Sequence, residues 1–565
     1  MNTLSLTVYD YSEWSLIPRV TKSPEHTVLI CVAWPYMNGR LHIGHLAGYL
    51  LPADCIARVF RLCGYRTLMV SGSDCYGTPI LVTALKENST PDQIVSYYHS
   101  EALKLFKLLE MSFDNYSATV NSTHHQTVKD MFLKILRNGY IFSQKDLQFY
   151  SPSLKKFLPD RFVVGDCPKC GAKGIKSDQC ENCSAVLAPQ DICNPRSIID
   201  NRNVELRETE HYFFNWPKIQ DSLESYVNAH SELWRTWVLS ETKKWLREGL
   251  KPRAITRDLD WGVELPKDSL SDAEKIPDLQ SKRIYVWFEA VTGYLSSTVE
   301  YCLRKSLNLN LFWRNPKSKH YYFMGKDNLP FHTLFWPGQL MAADKSYNLP
   351  YFPAINQYLL LGEDKFSKSA GRIIDSYEFL SNYGVDRSRF YFLTFAPETS
   401  DSSFSIEHFK EQVNSLLVGK IGNYLSRVLK LAGRGFTPEV SNHVFESFMP
   451  FLDRYLGFVE KASSRGMCQT ALDYADFLNK KFSDTQPWSL DKNSTEFIRK
   501  MSDFVSSALL LINLLKPVIP KASSEAEHML GIQEIDYLVV NVDSFQKAVS
   551  GIKIQDVHNL FERVN

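Results

Sequence analysis

Residues 27–33 read Thr-Val-Leu-Ile-Cys-Val-Ala, apolar on both faces, without helical period and closed by Pro35; this is the pattern of a strand buried on both sides. A helical stripe follows over about 44–61, with Leu46, Leu50, Ala53, Ala57 and Phe60 on one face, and a second buried run, 67–70, ends at Ser71-Gly72-Ser73-Asp74. Strand, helix and strand in this order commit the chain to a parallel sheet covered on both faces. A further helix opens at Thr90, where Thr90 caps, Pro91 suits the first turn and Gln93 completes a capping box. From about 142 to 214 the texture turns to Gly, Pro, Cys and charge, which reads as an inserted module. Strand-like runs return at 283–288, 320–324 and 358–361, the last ending in a glycine-bounded loop, 362–371, so the sheet is expected to resume after the insertion. Beyond about Glu407 the pattern is helical to the end, with stripes Leu417, Ile421, Leu425, Val428 and Phe504, Ala508, Leu511, Leu515.

Length agrees with several units: 565 residues at about 100–200 per domain give three to four. With 64 Lys+Arg against 63 Asp+Glu, a uniformly basic nucleic-acid coat is excluded, and any polyanion must be held by local patches. Residues 1–12 carry Asp10 and no basic-then-apolar run. The longest apolar stretch, 504–519, is broken by Ser506, Ser507, Asn513, Lys516 and Pro517, short of the ~20 residues a bilayer requires. A soluble, cytoplasmic protein with no membrane partner is expected. In a reducing compartment, 11 Cys point to metal binding where they cluster rather than to disulfides.

They cluster once. Cys167-Pro-Lys-Cys170, nine residues, then Cys180-Glu-Asn-Cys183 place four thiolates within tetrahedral reach of one Zn²⁺, with no open position, so the site is read as structural. A free-standing zinc ribbon that binds nucleic acid fits the same spacing; Cys193 is isolated. After the first strand stands Pro35-Tyr36-Met37-Asn38-Gly39-Arg40-Leu41-His42-Ile43-Gly44-His45. A helix start at a strand's carboxyl end offers N–H groups to phosphate, and His42 and His45 would add donors. Singly, this pair fits a structural, surface or stray metal pair as well. Roughly 320 residues further on, Lys365-Phe366-Ser367-Lys368-Ser369-Ala370-Gly371-Arg372 lies in the glycine-bounded loop and, alone, reads as a solvated basic loop.

Together, in this order and each at a strand end, the His42/His45 tract and the Lys365/Lys368 loop resemble the paired signatures of class I aminoacyl-tRNA synthetases. From about Thr27 to the helical C-terminus the chain is similar to the methionyl-tRNA synthetases. The resemblance implies a Rossmann-like catalytic domain in two halves, 27–125 and 256–375, split by a zinc-binding connective insertion, 126–255. Around them it implies an N-terminal extension, 1–26, a stem-contact linker, 376–410, and a helical anticodon-binding domain, 411–565. It implies ATP-dependent, AMP-forming activation of L-methionine and transfer to tRNA(Met), with Mg²⁺ accompanying ATP and one structural Zn²⁺. His42, His45, Lys365 and Lys368 become the catalytic set, and Asn38, Gly39 and Gly44 join them around ATP. Ala33, Trp34, Tyr36, Asp74, Arg257, Trp287, Ala290, Tyr294 and His332 become the methionine site, Asp74 holding the ammonium and His332 beside the sulfur. In the helical domain, Asn423 and Arg427, at i and i+4 on one face, and Trp488 after Pro487 become anticodon contacts; without the resemblance they read as a solvated polar face.

Departures accompany the match. Trp34 stands where relatives usually place Leu, Glu289 and Val291 replace their usual neighbours beside Trp287, and Phe366 varies the lysine loop mildly. Two alternatives therefore stand beside the main reading: another class I synthetase, and a non-catalytic relative that binds tRNA. With no appended β-barrel after Phe504 and a helical end, a monomer is expected.

Overall fold

The structure, a computed structural model, describes residues 25–565 apart from 160–161, 178–181, 184–186, 188, 363 and 366–373. Its centre is a five-stranded sheet: β1 (Thr27–Val32), β2 (Arg66–Ser73), β3 (Asn115–Ala118), β4 (Ser318–Gly325) and β5 (Phe352–Asn356). They lie in the order β5-β4-β1-β2-β3, every pair parallel. β1 is buried at all six positions, as its unbroken apolar run requires, and its partner β4 arrives from almost 290 residues away in register Thr27 opposite Ser318. The helix expected over 44–61 is Leu51–Leu62, preceded by a single α-turn, Ile43–His45, and a π-helical segment, Leu46–Leu50. Thr90 caps Pro91–Leu108 with Gln93 in a capping box, as its spacing predicts.

Three expectations are corrected. Of the strand-like run 283–288, only Lys282–Ile284 is extended, in a small antiparallel sheet with Thr256–Asp258 and Val263–Glu264; Val286–Glu289 is a helical turn. Aromatic and β-branched content favours strand in the abstract, but burying Phe288 and Glu289 on one side while Trp287 faces outward is a helical demand. The run 358–361 forms Leu359–Leu361, outside the main sheet and paired with Asp364–Lys365 and Ser402–Phe404; the fifth main-sheet strand is β5, whose Pro353 masked it as a strand. Finally, the chain does not end in helix. The last helix is Val542–Ser550, after which 551–565 runs irregularly back over the domain, with Ile554 bonded to Gly435 and Phe436, and Asn414 pairing with Val564.

The insertion is built on a long antiparallel pair, Ile141–Ser151 with Glu205–Phe214, and carries a small sheet of Val163–Asp166, Ile175–Lys176 and Cys193–Ser197. The C-terminal helices Asn423–Ala432, Asn442–Glu460, Ser464–Thr485 and Thr495–Leu515 pack face to face. Buried ions tie them to the sheet domain. Arg389, fully buried on Val385–Thr394, donates to Asp54 Oδ2 (2.6 Å) on the first crossover helix, to the carbonyls of Pro517 (3.0 Å) and Val518 (2.9 Å), and to Leu109 O (3.3 Å). Burial alone would raise the Asp54 carboxyl, but Arg389, Arg58 and two bonds from Ser112 outweigh it and hold the group well below the usual carboxylate range. Nearby, Glu398 accepts from Ser463 Oγ (2.5 Å), Ser464 Oγ (3.3 Å) and Arg465 N (3.0 Å), gripping the start of the 22-residue helix Ser464–Thr485.

Removing one member of a buried ion pair strands the other, at a cost of about 3–5 kcal/mol. Arg389→Met is therefore expected to lower the denaturant midpoint clearly, whereas exposed Lys145→Met, which breaks a surface pair with Glu208, leaves it essentially unchanged. An unchanged midpoint for Arg389→Met would show that the pair does not join the domains.

Candidate active site

The strand order reverses between β1 and β4, and open parallel sheets bind ligands outside the carboxyl ends of the strands flanking such a reversal. The segments leaving β1 and β4 there, 33–45 and 325–335, carry most of the residues singled out above. His42 caps the turn that follows it: Gly44 N–H donates to His42 Nδ1 (3.2 Å), and His42 N–H donates to His45 Nδ1 (3.1 Å). An Nδ1 that accepts leaves the proton of a neutral ring on Nε2, a donor there; His45 Nδ1 also lies 3.3 Å from His42 O. The two rings lie 3.8 Å apart, and both line a cavity of about 410 Å³.

The second signature returns to the same rim by its backbone. Leu359 lines the cavity, and the strand it begins pairs with Asp364–Lys365, Leu360 opposite Lys365. On the far side of the loop Asp375 bridges to His42, with Ile43 N–H donating to Ile374 O (3.2 Å) and Ser376 N–H to Leu41 O (3.2 Å). The lysine loop is thus anchored at both ends beside the histidine tract. Lys365 is described by its backbone alone, and Lys368 lies outside the described residues.

Ala33, Trp34, Tyr36, Asp74, Trp287, Ala290, Tyr294 and His332 all line this cavity, with Gly44 and the two histidines at its mouth. Arg257 and Asn38 do not; they line an adjoining cleft of about 930 Å³ that shares Tyr36, His42, His45 and Trp287 with the cavity. Gly39, half-buried, follows Asn38 on the connecting turn. His332 Nδ1 donates to Asn328 O (2.9 Å), so its Nε2 accepts from the Tyr294 hydroxyl (2.7 Å); burial holds the ring neutral, with its pKa pushed down to about 4. Both polar ends of the ring are therefore spent, and it meets the cavity as a soft, neutral wall.

Asp74 is the buried carboxyl group of the cavity wall, 4% exposed, with Tyr76 N–H donating to its Oδ1 (3.2 Å). Burial, and next the neighbouring Glu289 carboxyl, push its pKa well above the ordinary value. Glu289 itself is raised by burial, and its Oε2 lies 2.6 Å from His124 Nε2, whose pKa burial pushes down to about 3. Both directions favour neutral groups: protonated Glu289 donates to His124, which donates through Nδ1 to Ser296 Oγ (2.9 Å). Asp74 is then the group poised to gain a counter-charge from a ligand.

Away from the cavity, the Sγ atoms of Cys167, Cys170 and Cys183 lie within 4.8 Å of one another, Cys167 and Cys183 3.8 Å apart. That is the edge of a tetrahedron with metal–sulfur bonds of about 2.3 Å, so the donor set fits zinc; Cys180 lies outside the described residues. In the helical domain, the Arg427 guanidinium stands 4.9 Å from the Phe482 ring and 5.4 Å from that of Trp488, which is 48% exposed; Asn423, one turn earlier, is exposed.

Several cavity residues carry no signal in the sequence: Gly48 and Tyr49, and Gln357 and Tyr358. The first pair is brought in by the wide π-turn Leu46–Leu50, and His332 sits in another, Phe331–Phe335; a third, Val413–Gly422, directly precedes Asn423. Such segments concentrate at functional sites, and no local sequence signal announces them.

Residues 28–429 match the family of tRNA synthetases class I (M). The methionine–tRNA ligase of Roseiflexus castenholzii (strain DSM 13941 / HLO8) is 38% identical over 525 residues, 89% of this chain and 87% of that protein. That of Streptococcus pneumoniae (strain CGSP14) is 36% identical over 549 residues, 95% and 97%, and that of Thermofilum pendens (strain DSM 2475 / Hrk 5) 39% over 524 residues, 90% and 89%. The structure of Mycobacterium tuberculosis methionyl-tRNA synthetase in complex with methionyl-adenylate shares the fold at a TM-score of 0.74 and 22% identity, covering 95% of this chain and 99% of that one. With a family match over most of its length and relatives above 30% identity along nearly all of it, the chain belongs to the class I (M) tRNA synthetases, the family of the methionine–tRNA ligases.

Proposed function

We propose that the protein activates L-methionine with ATP, forming methionyl adenylate and pyrophosphate, and passes the methionyl group to tRNA(Met). The observation that carries this reading is the double backbone anchoring of the lysine loop beside His42 and His45, at the mouth of an amino-acid-sized cavity with a buried carboxylate. The methionine carboxylate is already a nucleophile and attacks the α-phosphate in line; no general base or covalent enzyme intermediate is required, and the protein contributes alignment and charge stabilisation. His42 and His45 donate from Nε2 to the phosphates, with Asn38, Gly39 and Gly44 close to the nucleotide. Lys365 and Lys368 offset charge on the transferring and departing phosphates, and Mg²⁺ accompanies ATP. Asp74 pairs with the ammonium of methionine. Ala33, Trp34, Tyr36, Trp287, Ala290, Tyr294 and His332 enclose its side chain, where ring–sulfur contacts add about 0.3–1.5 kcal/mol each.

Arg257, placed by sequence in the methionine site, borders the wider cleft instead and suits the acceptor end of tRNA as it approaches the adenylate. Asn423, Arg427 and Trp488 read the anticodon, the exposed indole stacking on an unpaired base for about 1–3 kcal/mol. The four cysteines Cys167, Cys170, Cys180 and Cys183 hold one Zn²⁺ that shapes the insertion and takes no part in the chemistry. We read the units as divided at the boundaries given above, working as a monomer in the cytoplasm.

Pyrophosphate exchange with all twenty amino acids tests the activity: methionine alone is expected to support it, and Lys368→Ala to reduce it at least 100-fold. Exchange driven by another amino acid, or unaffected by Lys368→Ala, would overturn the reading.

Ammonium binding requires ionised Asp74, whose pKa lies above the carboxylate range, so methionine affinity falls as pH drops through that raised value. KM for methionine is expected to rise on acidification, and Asp74→Asn to raise it about 10–100-fold, the worth of a charged hydrogen bond of about 1.5–3 kcal/mol, and to flatten its pH dependence. A sloping profile in Asp74→Asn would assign the titration elsewhere.

Elemental analysis is expected to find one zinc per chain, lost in Cys167→Ser together with protection of the 163–197 segment from protease. A zinc-free wild-type protein with an intact insertion would exclude the metal site.

A further inference from the structure

Trp34 brings the bulkiest of side chains into the cavity wall, and its surroundings explain how so large a side chain fits. The indole lines the cavity, and its Nε1 is buried without a hydrogen-bond partner, so packing alone determines where the ring lies. Two glycines form its seat. A Cβ on Gly72, inside β2, would stand 2.3 Å from Cζ3 and 2.4 Å from Cη2 of Trp34; a Cβ on Gly293, at the start of Gly293–Lys305, would stand 2.7 Å from Cε2 and Cζ2. Neither glycine has positive φ, so backbone conformation does not call for glycine at either place. Space for the ring does. Gly72 is held in register opposite Ser117, the helix carrying Gly293 is tied to His124 through Ser296, and the turn before it through Glu289; the His124 ring lies 6.0 Å from the indole. With both backbones held and His124 beside the ring, the open direction left to a displaced indole is the cavity.

We propose that Gly72 and Gly293 are specificity-determining residues, which seat the Trp34 indole in the wall of the amino-acid cavity and thereby set the length of side chain it accepts. The proposal rests on the amino-acid-activation reading above. A side chain added at either glycine drives the indole into the space the substrate occupies, whereas shortening Trp34 deepens the cavity and makes the glycines dispensable.

The test is a double-mutant cycle of Gly72→Ala with Trp34→Leu, read by exchange and by thermal unfolding. Gly72→Ala alone is expected to raise KM for methionine at least tenfold with KM for ATP within twofold. Trp34→Leu is expected to lower the preference for methionine over unbranched amino acids one or two methylenes longer at least tenfold. In the Trp34→Leu background, Gly72→Ala is expected to change KM for methionine less than threefold, because the ring it would strike is gone. A role in the backbone of β2 predicts instead the same defect in both backgrounds, and that result, or a normal KM in Gly72→Ala, overturns the proposal. The unfolding midpoints decide the seat independently of catalysis: Gly72→Ala lowers the midpoint when Trp34 is present and spares it when Leu replaces it, while additive losses overturn the seat. Wild-type protein that fails to exchange with methionine would sink the functional reading alone, since the midpoints still report on the seat.

Discussion

The site depends on one ladder of backbone hydrogen bonds, six residues of β1 against six of β4. Neither strand is adjacent to the other in sequence, and the connection between them contains β2, β3 and the whole insertion. Once Thr27–Val32 and Ser318–Phe323 pair in parallel, the segments leaving their carboxyl ends must diverge around a common crevice. The histidine tract, Trp34 and Tyr36 come from one side, and Asp327, Asn328 and His332 from the other. β1 is buried at every position because the ladder sits at the middle of the sheet, covered on both faces. The cavity residues of these two segments lie just past the strand ends, where backbone groups are no longer spent on the sheet.

Much of this was legible because the signals were local. The unbroken apolar run of β1, the Thr90-Pro91-Asp92-Gln93 cap and the Cys-x-x-Cys turns each state their structure within a few residues, and Cys167, Cys170 and Cys183 do converge. What failed had opposing local and tertiary demands. Residues 283–288 have strand composition, but one-sided burial of Phe288 and Glu289 bends 286–289 into a helical turn. Pro353 argues against a strand at Phe352–Asn356, yet at the edge of the sheet a missing N–H costs little. The π-turns at Leu46–Leu50 and Phe331–Phe335 re-aim Tyr49 and His332 without any residue that advertises them, and nothing local to Glu289 announces His124, 165 positions away, against it.

Charge in the interior falls into two regimes. Asp54 is kept ionised by the guanidinium of Arg389 and by Arg58, and the resulting cluster joins three parts of the molecule. Asp74 and Glu289 have no such partner; burial raises both, and the pair shares a neighbourhood that one substrate ammonium would neutralise. The first arrangement is complete within the chain and serves architecture. The second is left electrostatically incomplete, as a binding site for a small cation should be.

The grip of Glu398 on Ser463, Ser464 and Arg465 determines how the far end of the molecule behaves. The helix it holds runs 22 residues, about 33 Å at 1.5 Å per residue, and ends beside Phe482, Gln486 and Trp488. Clamped at its root and unbroken by proline, it is a strut of set length. The exposed indole beyond its tip therefore stands off from the sheet domain by a distance that the length of this one helix dictates.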